Sequence, residues 1–250
     1  MAWHRELLRR FELDLRDPAI GNKPDVTIPY WIWNQPFPRH LDDNMADDNF
    51  MGGAGTPVTT GPFRQGQWTP LHGPDLNRTN ASAVAITSAQ IGAVLGISYY
   101  DAAPWNSMSA ASMNGFRNQL EGLHNTAHDH VGGQMGDPLK SPDDPVFWLH
   151  HAYVDFLWAE WERLHPDPPT AHYLPTDAPG DPNDDDAQMT PWPATTTPKS
   201  VKETVPLGYI YLGGDRLPVP AVTPAGLIVL GVLMALAGVL VVRRTRASTR

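Results

Sequence analysis

Apolar positions along the chain fall into a few windows of helical period, separated by long stretches with no period at all. In residues 2–15, His4, Leu7, Leu8 and Phe11 share one face, which predicts an amphipathic helix. From 18 to 105, short apolar patches alternate with Pro, Gly, Asn and Asp, and the prediction is loop, with one helix near 87–95. A third helix is expected to start at Ser107 or Ser109, whose hydroxyls suit an N-cap, and to run to Leu120. Residues 121–130 predict another, stopped by Gly132-Gly133. Pro145 suits a first helical turn, and the helix it opens is expected to reach about Leu164, before Pro166. Trp148, Trp158 and Trp161 follow helical spacing there and are expected in the core. From Asp167 to Thr204 the chain is rich in Pro, Thr and Asp and is expected to wrap the surface.

Two of these helices carry histidines at informative spacings. His124 and His128 are four apart, so on a helix both rings lie on one face and can address one ion. His150 and His151 are adjacent and diverge by about 100° on a helix, so one of them can join that pair. Asp155 lies one turn after His151, where its carboxylate could hold the second ring N–H of a ligand. That makes His151 the third candidate and leaves His150 to packing or support. Asn125 stands where a zinc protease of the His-Glu-x-x-His pattern has its general base, which disfavours hydrolysis by that route. With no Cys in the chain, thiolate zinc and iron–sulfur sites are excluded. Three neutral imidazoles suit copper, zinc, iron or nickel, and the donor chemistry does not choose among them.

A resemblance does choose. The run Asp144-Pro145-x-Phe147-Trp148-x-x-His151-x-x-x-Asp155 looks like the second copper signature of tyrosinases, and His124-Asn125-x-x-His128 resembles the other half of that site. Trp3-His4-Arg5, with Leu8 and Glu12, resembles the end of the first copper signature. Pro29-Tyr30-Trp31-Ile32-Trp33, Gly61-Pro62-Phe63, Ala103-Pro104-Trp105-Asn106, Gly115-Phe116-Arg117-Asn118 and Leu207-Gly208-Tyr209-Ile210-Tyr211 are further echoes in the same order, so the likeness spans 1–211. It implies a mainly α fold, a helical bundle around a type-3 copper centre with long irregular loops. Two coppers bind O2 between them, each held by three His, and the family oxidises phenols and o-diphenols to o-quinones. Residue by residue, it implies His124, His128 and His151 on the second copper and His4 as the last ligand of the first. Asn125 and Glu121 would help hold a water that deprotonates an incoming phenol.

The chain begins inside the first copper motif, so the two further first-site histidines of the family are absent from it. His40, His72, His165 and His172 sit in segments that read as loops and are not expected to replace them, and His130 is expected to be an ordinary solvated or core residue. The resulting expectation is a tyrosinase-type oxidase lacking its beginning, with activity of this chain in question. The alternatives are a copper or O2 binder of the hemocyanin type, or a degenerate membrane-anchored relative.

Charge and composition narrow the partners. The formal net charge is −9, from 27 acidic and 18 basic residues, and no continuous basic stretch suits nucleic acid. Much of the excess lies in Asp42-Asp43 with Asp47-Asp48 and in Asp181 with Asp184-Asp185-Asp186, expected as solvated loops; the second lacks the Gly and Glu of an EF-hand loop. The expected partners are a small phenol and O2.

The C-terminus predicts something different. Residues 225–242 are uncharged and would span about 27 Å as a helix, enough for a thin bilayer core. Arg243, Arg244, Arg246 and Arg250 follow, which predicts a transmembrane helix with a cytoplasmic basic tail and an extracytoplasmic copper domain. The expected organisation is a tyrosinase-like domain at 1–211, a Pro-rich linker at 212–224, the span at 225–242 and the tail at 243–250. The stem, span and Arg cluster also resemble bacterial C-terminal sorting signals, which leaves permanent anchor and cleaved tail both open.

Overall fold

The structure, a computed structural model, describes residues 1–39, 48–105, 108–166 and 184–211. The expected linker, membrane span and basic tail (212–250) lie outside the described residues, as do His40, His172, Asp42, Asp43, Asp47 and Asp181. Among the described residues no helix is long and apolar enough to cross a membrane. The helices there are α1 (Ala2–Arg16), α2 (Ser88–Leu95), α3 (Ala110–Met113), α4 (Phe116–Val131) and α5 (Val146–Leu164), with short 3-10 turns between and after them. The described residues contain no strand, only one isolated bridge between Gly55 and Arg78. The mainly helical prediction with long irregular connections is thus what forms.

The third and fourth predicted helices are divided differently. α3 is one turn, capped by the Ser109 hydroxyl, which accepts from Ser112 N–H (3.2 Å). α4 then starts at Phe116 and continues unbroken to Val131, rather than beginning at 121. The break sits at Gly115, packed against the 99–101 segment: a Cβ there would lie 2.9 Å from Tyr100 O. Phe116 and Arg117 direct their amides to Tyr99 O (3.0 Å) and Tyr100 O (2.9 Å), so a tertiary contact replaces the helical continuation. The predicted stop at Gly132-Gly133 forms with positive φ at both residues, and a Cβ on Gly133 would fall 1.8 Å from Asn77 O.

The described residues group into two compact units, divided inside α1, α4 and α5 and between Val84 and Ala85. Among the described residues, the first comprises Met1–Arg9, Ala85–Thr126, 151–166 and 184–211. Its interior is aromatic: Phe116 stacks on Trp161 (4.7 Å), and Tyr100 touches Trp158 and Trp161 (5.9 Å each). The fully buried Arg5 of α1 lies over Trp158 (3.7 Å), bonds Asp155 of α5 and donates to the carbonyls of Val201 and Lys202. The hydroxyls of Tyr209 (2.7 Å) and Tyr211 (2.8 Å) donate to the other oxygen of Asp155. Asp155 therefore serves Arg5 and two tyrosines, not His151 as its spacing suggested. A guanidinium arriving from another helix offers the carboxylate a charged donor, which a neutral ring N–H does not match.

Among the described residues, the second unit comprises Arg10–Val84 and Ala127–His150. Phe11 stacks on Trp148 (3.9 Å) and, with Leu15, packs against Val26, Ile28 and Trp68. Arg78 and Asp144, both fully buried, form a two-pronged ion pair at 2.7 Å in each arm. Asp144 also accepts Val146 N–H (2.9 Å), so the same carboxylate caps the start of α5. Trp31 N–H donates to Leu149 O (3.0 Å), which holds the 29–33 segment beside the first turns of that helix.

Candidate metal centre

α4 carries His124 and His128 one turn apart, and α5 carries His150 and His151 side by side. The His124 and His151 rings lie 4.9 Å apart, and those of His128 and His150 4.3 Å apart. These four imidazoles make up the histidine group that could hold a metal, and no other imidazole joins it among the described residues. His150 and His151 are buried, and His128 is 8% exposed.

Hydrogen bonds sort the four rings. His128 Nδ1 lies 2.7 Å from Met135 O. A carbonyl only accepts, so Nδ1 carries the proton and Nε2 keeps its lone pair for a metal. Burial also pushes the His128 imidazole below its ordinary pKa, partly opposed by that bond to Met135, which favours the neutral ring a metal requires. His124 Nδ1 lies 2.9 Å from Asn125 Oδ1, which accepts in the same way and leaves Nε2 as the lone-pair nitrogen. His150 is the opposite case. The Trp33 indole N–H donates to His150 Nδ1 (3.0 Å), and an indole can only donate. That lone pair is therefore occupied, and in the neutral ring the proton sits on Nε2, where it repels rather than ligates a cation. The histidine group is a nitrogen-only set suited to a borderline transition ion, and the Trp33 bond sets His150 apart from the other three rings.

His4 lies outside the group of four but stands beside it. Its ring stacks on His151 with centroids 4.0 Å apart and planes 13° from parallel. Asn125 is exposed, in contact with His124 rather than set apart as a water holder. Glu121 is exposed one turn earlier on α4, and among the described residues no hydrogen bond or ion pair ties it to the cluster. The remaining described histidines are held elsewhere: His72 by Asp143 (3.1 Å), His130 by the Ser82 hydroxyl (3.2 Å) and His165 by Trp161 O (2.9 Å). Sequence reasoning missed the two groups that settle ring orientation. Trp33 lies within the Pro-Tyr-Trp-Ile-Trp element, so its motif was visible while its partner was not. Met135 acts through a backbone carbonyl, which leaves no trace in residue type.

The family profile described as the common central domain of tyrosinase matches residues 1–164. The chain belongs to the tyrosinase family. It is 41% identical over 213 residues to the tyrosinase of Streptomyces glaucescens, covering 78% of this chain and 73% of that protein. It is 32% identical over 237 residues to grixazone synthase of Streptomyces griseus, covering 78% and 74%. A solved polyphenol oxidase of Thermothelomyces thermophila aligns with a TM-score of 0.45 at 24% identity over 67% of this chain and 55% of that one, too loose a likeness to argue from. Tyrosinases are dicopper proteins that act on phenols with O2, and this chain is a copper oxidase of the tyrosinase type.

Proposed function

We propose that this chain oxidises phenols and o-diphenols to o-quinones with O2, at a copper held by Nε2 of His124 and His128 together with His151. His4 is proposed as a ligand of the neighbouring copper, supported by its place in the Trp-His-Arg motif and its stack on His151. The observation that carries the reading is the sorting of tautomers: Met135 O and Asn125 Oδ1 take the Nδ1 protons of one helical pair, which leaves Nε2 as the unprotonated nitrogen of both rings.

Bound copper would supply the exchange of electrons between phenol and O2. The chain's own part is to hold and to shield. Asn125 and Met135 fix two rings. The Trp33 N–H keeps His150 out of the ligand set while its buried ring fills space beside His128. Asn125, at the exposed edge of the cluster, is also proposed to meet the incoming phenol together with Glu121, a role supported by their order in the motif. Copper content and catechol turnover test the reading together. Wild-type chain should bind copper and oxidise catechol, and His128→Ala or His151→Ala should remove both. Copper retained at wild-type stoichiometry in both variants would overturn the assignment. Copper bound without turnover would favour the carrier reading of the hemocyanin kind.

The membrane expectation is carried here as a proposal as well: 225–242 anchors the chain, with the copper domain outside, or serves as a sorting tail. Its support is the uncharged run followed by four Arg. Fractionation of cells expressing the chain with and without 225–250 tests it, since recovery of both in the soluble fraction would refute an anchor.

A further inference from the structure

We propose that Asp184, Asp185 and Asp186 form a site for a hard divalent cation of the calcium class, separate from the histidine cluster. The sequence suggested a solvated acidic loop. Instead Asp184 and Asp185 are each only 5% exposed. One carboxylate oxygen from each of the three residues lies within 4.8 Å of the others. Asp185 Oδ1 is buried, and among the described residues no donor reaches it. A buried carboxylate oxygen without a donor, beside two further carboxylates, is an arrangement that a cation satisfies and that is costly otherwise.

The turn is built to gather these oxygens. Asp184 Oδ1 accepts Asp186 N–H (2.8 Å), Asp184 O accepts Ala187 N–H (3.1 Å), and Asp185 O accepts Lys199 N–H (2.9 Å). The Lys199 ion pair is a weak substitute for a bound ion. Lys199 Nζ reaches Asp186 Oδ2 at 3.4 Å, with both side chains more than half exposed, and Lys202 acts on Asp185 through its charge. Burial and the two neighbouring acids push the Asp185 carboxyl upward, opposed by these two lysines, as expected of a site short of positive charge. The donors are all oxygen and come from one turn, which suits the flexible six-to-eight-fold shell of calcium better than the strict octahedron of magnesium. Imidazole-seeking copper has no reason to prefer this site.

A cation here would stiffen the segment that grips α1. Trp3 donates its indole N–H to Thr190 O (2.7 Å), and Arg5 donates to the carbonyls of Val201 and Lys202, so residues 184–202 flank the helix that carries His4.

The test is calcium chloride added to the full chain in chelator-treated buffer, followed by titration calorimetry and thermal unfolding. One ion should bind per chain, with a Kd of about 10⁻⁴–10⁻³ M. At calcium about tenfold above Kd, the ratio of folded to unfolded chain should rise about tenfold. Asp185→Asn should abolish the response. Asp186→Asn, at a side chain exposed enough not to threaten folding, should weaken binding about tenfold. Absence of heat and of any thermal shift in wild type up to ~10 mM calcium would overturn the proposal, as would a wild-type response that survives unchanged in Asp186→Asn.

Discussion

Replacing Arg5 by Met should destabilise the protein by about 3–5 kcal/mol, and the magnitude follows from how completely that side chain is enclosed. Its guanidinium has no exposed surface and its partner Asp155 is 4% exposed, so neither charge can recover solvation when the other is removed. The Tyr209 and Tyr211 hydroxyls still hold Asp155 in the variant, which places the loss in the lower half of that range. Met refills most of the volume over Trp158 and keeps the cavity term small, so the measured cost reports the charge. For a chain of this size the loss lowers the thermal midpoint by roughly 10 °C. The assay is a double-mutant cycle by urea or thermal unfolding: Arg5→Met, Asp155→Asn, and both together. Arg5→Met leaves Asp155 without its charged partner, Asp155→Asn leaves Arg5 only Glu162 and two carbonyls, and the double change removes both charges of the pair, so the two losses should fall short of additivity by at least ~2 kcal/mol. A cost below ~1 kcal/mol for Arg5→Met, or additivity within ~0.5 kcal/mol, would refute the reasoning. Because Arg5 follows His4 directly, the same variant should also lower the recovery of copper per chain.

Three further outcomes follow from single contacts. Burial lifts the Glu162 carboxyl to about 7 against the pull of Arg5; its folded value exceeds its unfolded one, so its contribution to stability is present at low pH and is lost as pH rises from about 4.5 through 7. Glu162→Gln should therefore flatten stability over that window and gain relative to wild type at pH 8, seen as a difference between two pH series of unfolding midpoints. Asn125→Ala frees His124 Nδ1 and should weaken copper binding about 10–100-fold in a competition titration, with little change in the fold. Trp33→Phe removes the donor to His150 Nδ1 at a fully buried position and should cost about 2–4 kcal/mol of unfolding free energy, from the orphaned nitrogen and the space left by the smaller ring.

Where helix and motif are local, the sequence sufficed. The period of Leu7, Leu8 and Phe11, the Pro145 start and the Gly132-Gly133 stop placed α1, α5 and the end of α4, because caps, breakers and amphipathic faces act within a turn or two. That His124 and His128 share one helix face was legible for the same reason: spacing on a helix fixes direction. Tertiary structure alone decided which ring nitrogen carries a proton, since Met135 O and the Trp33 indole reach the cluster from segments with no fixed sequence distance to it. It also gave Asp155 to Arg5 and not to His151, through a charge arriving from α1 that no local pattern announces. The Gly115 break that merges 116–131 into one helix arose from a backbone approach by the 99–101 segment. Asp184 and Asp185 make the same point: charge alone predicted exposure, while the fold buries both and leaves only Asp186 exposed.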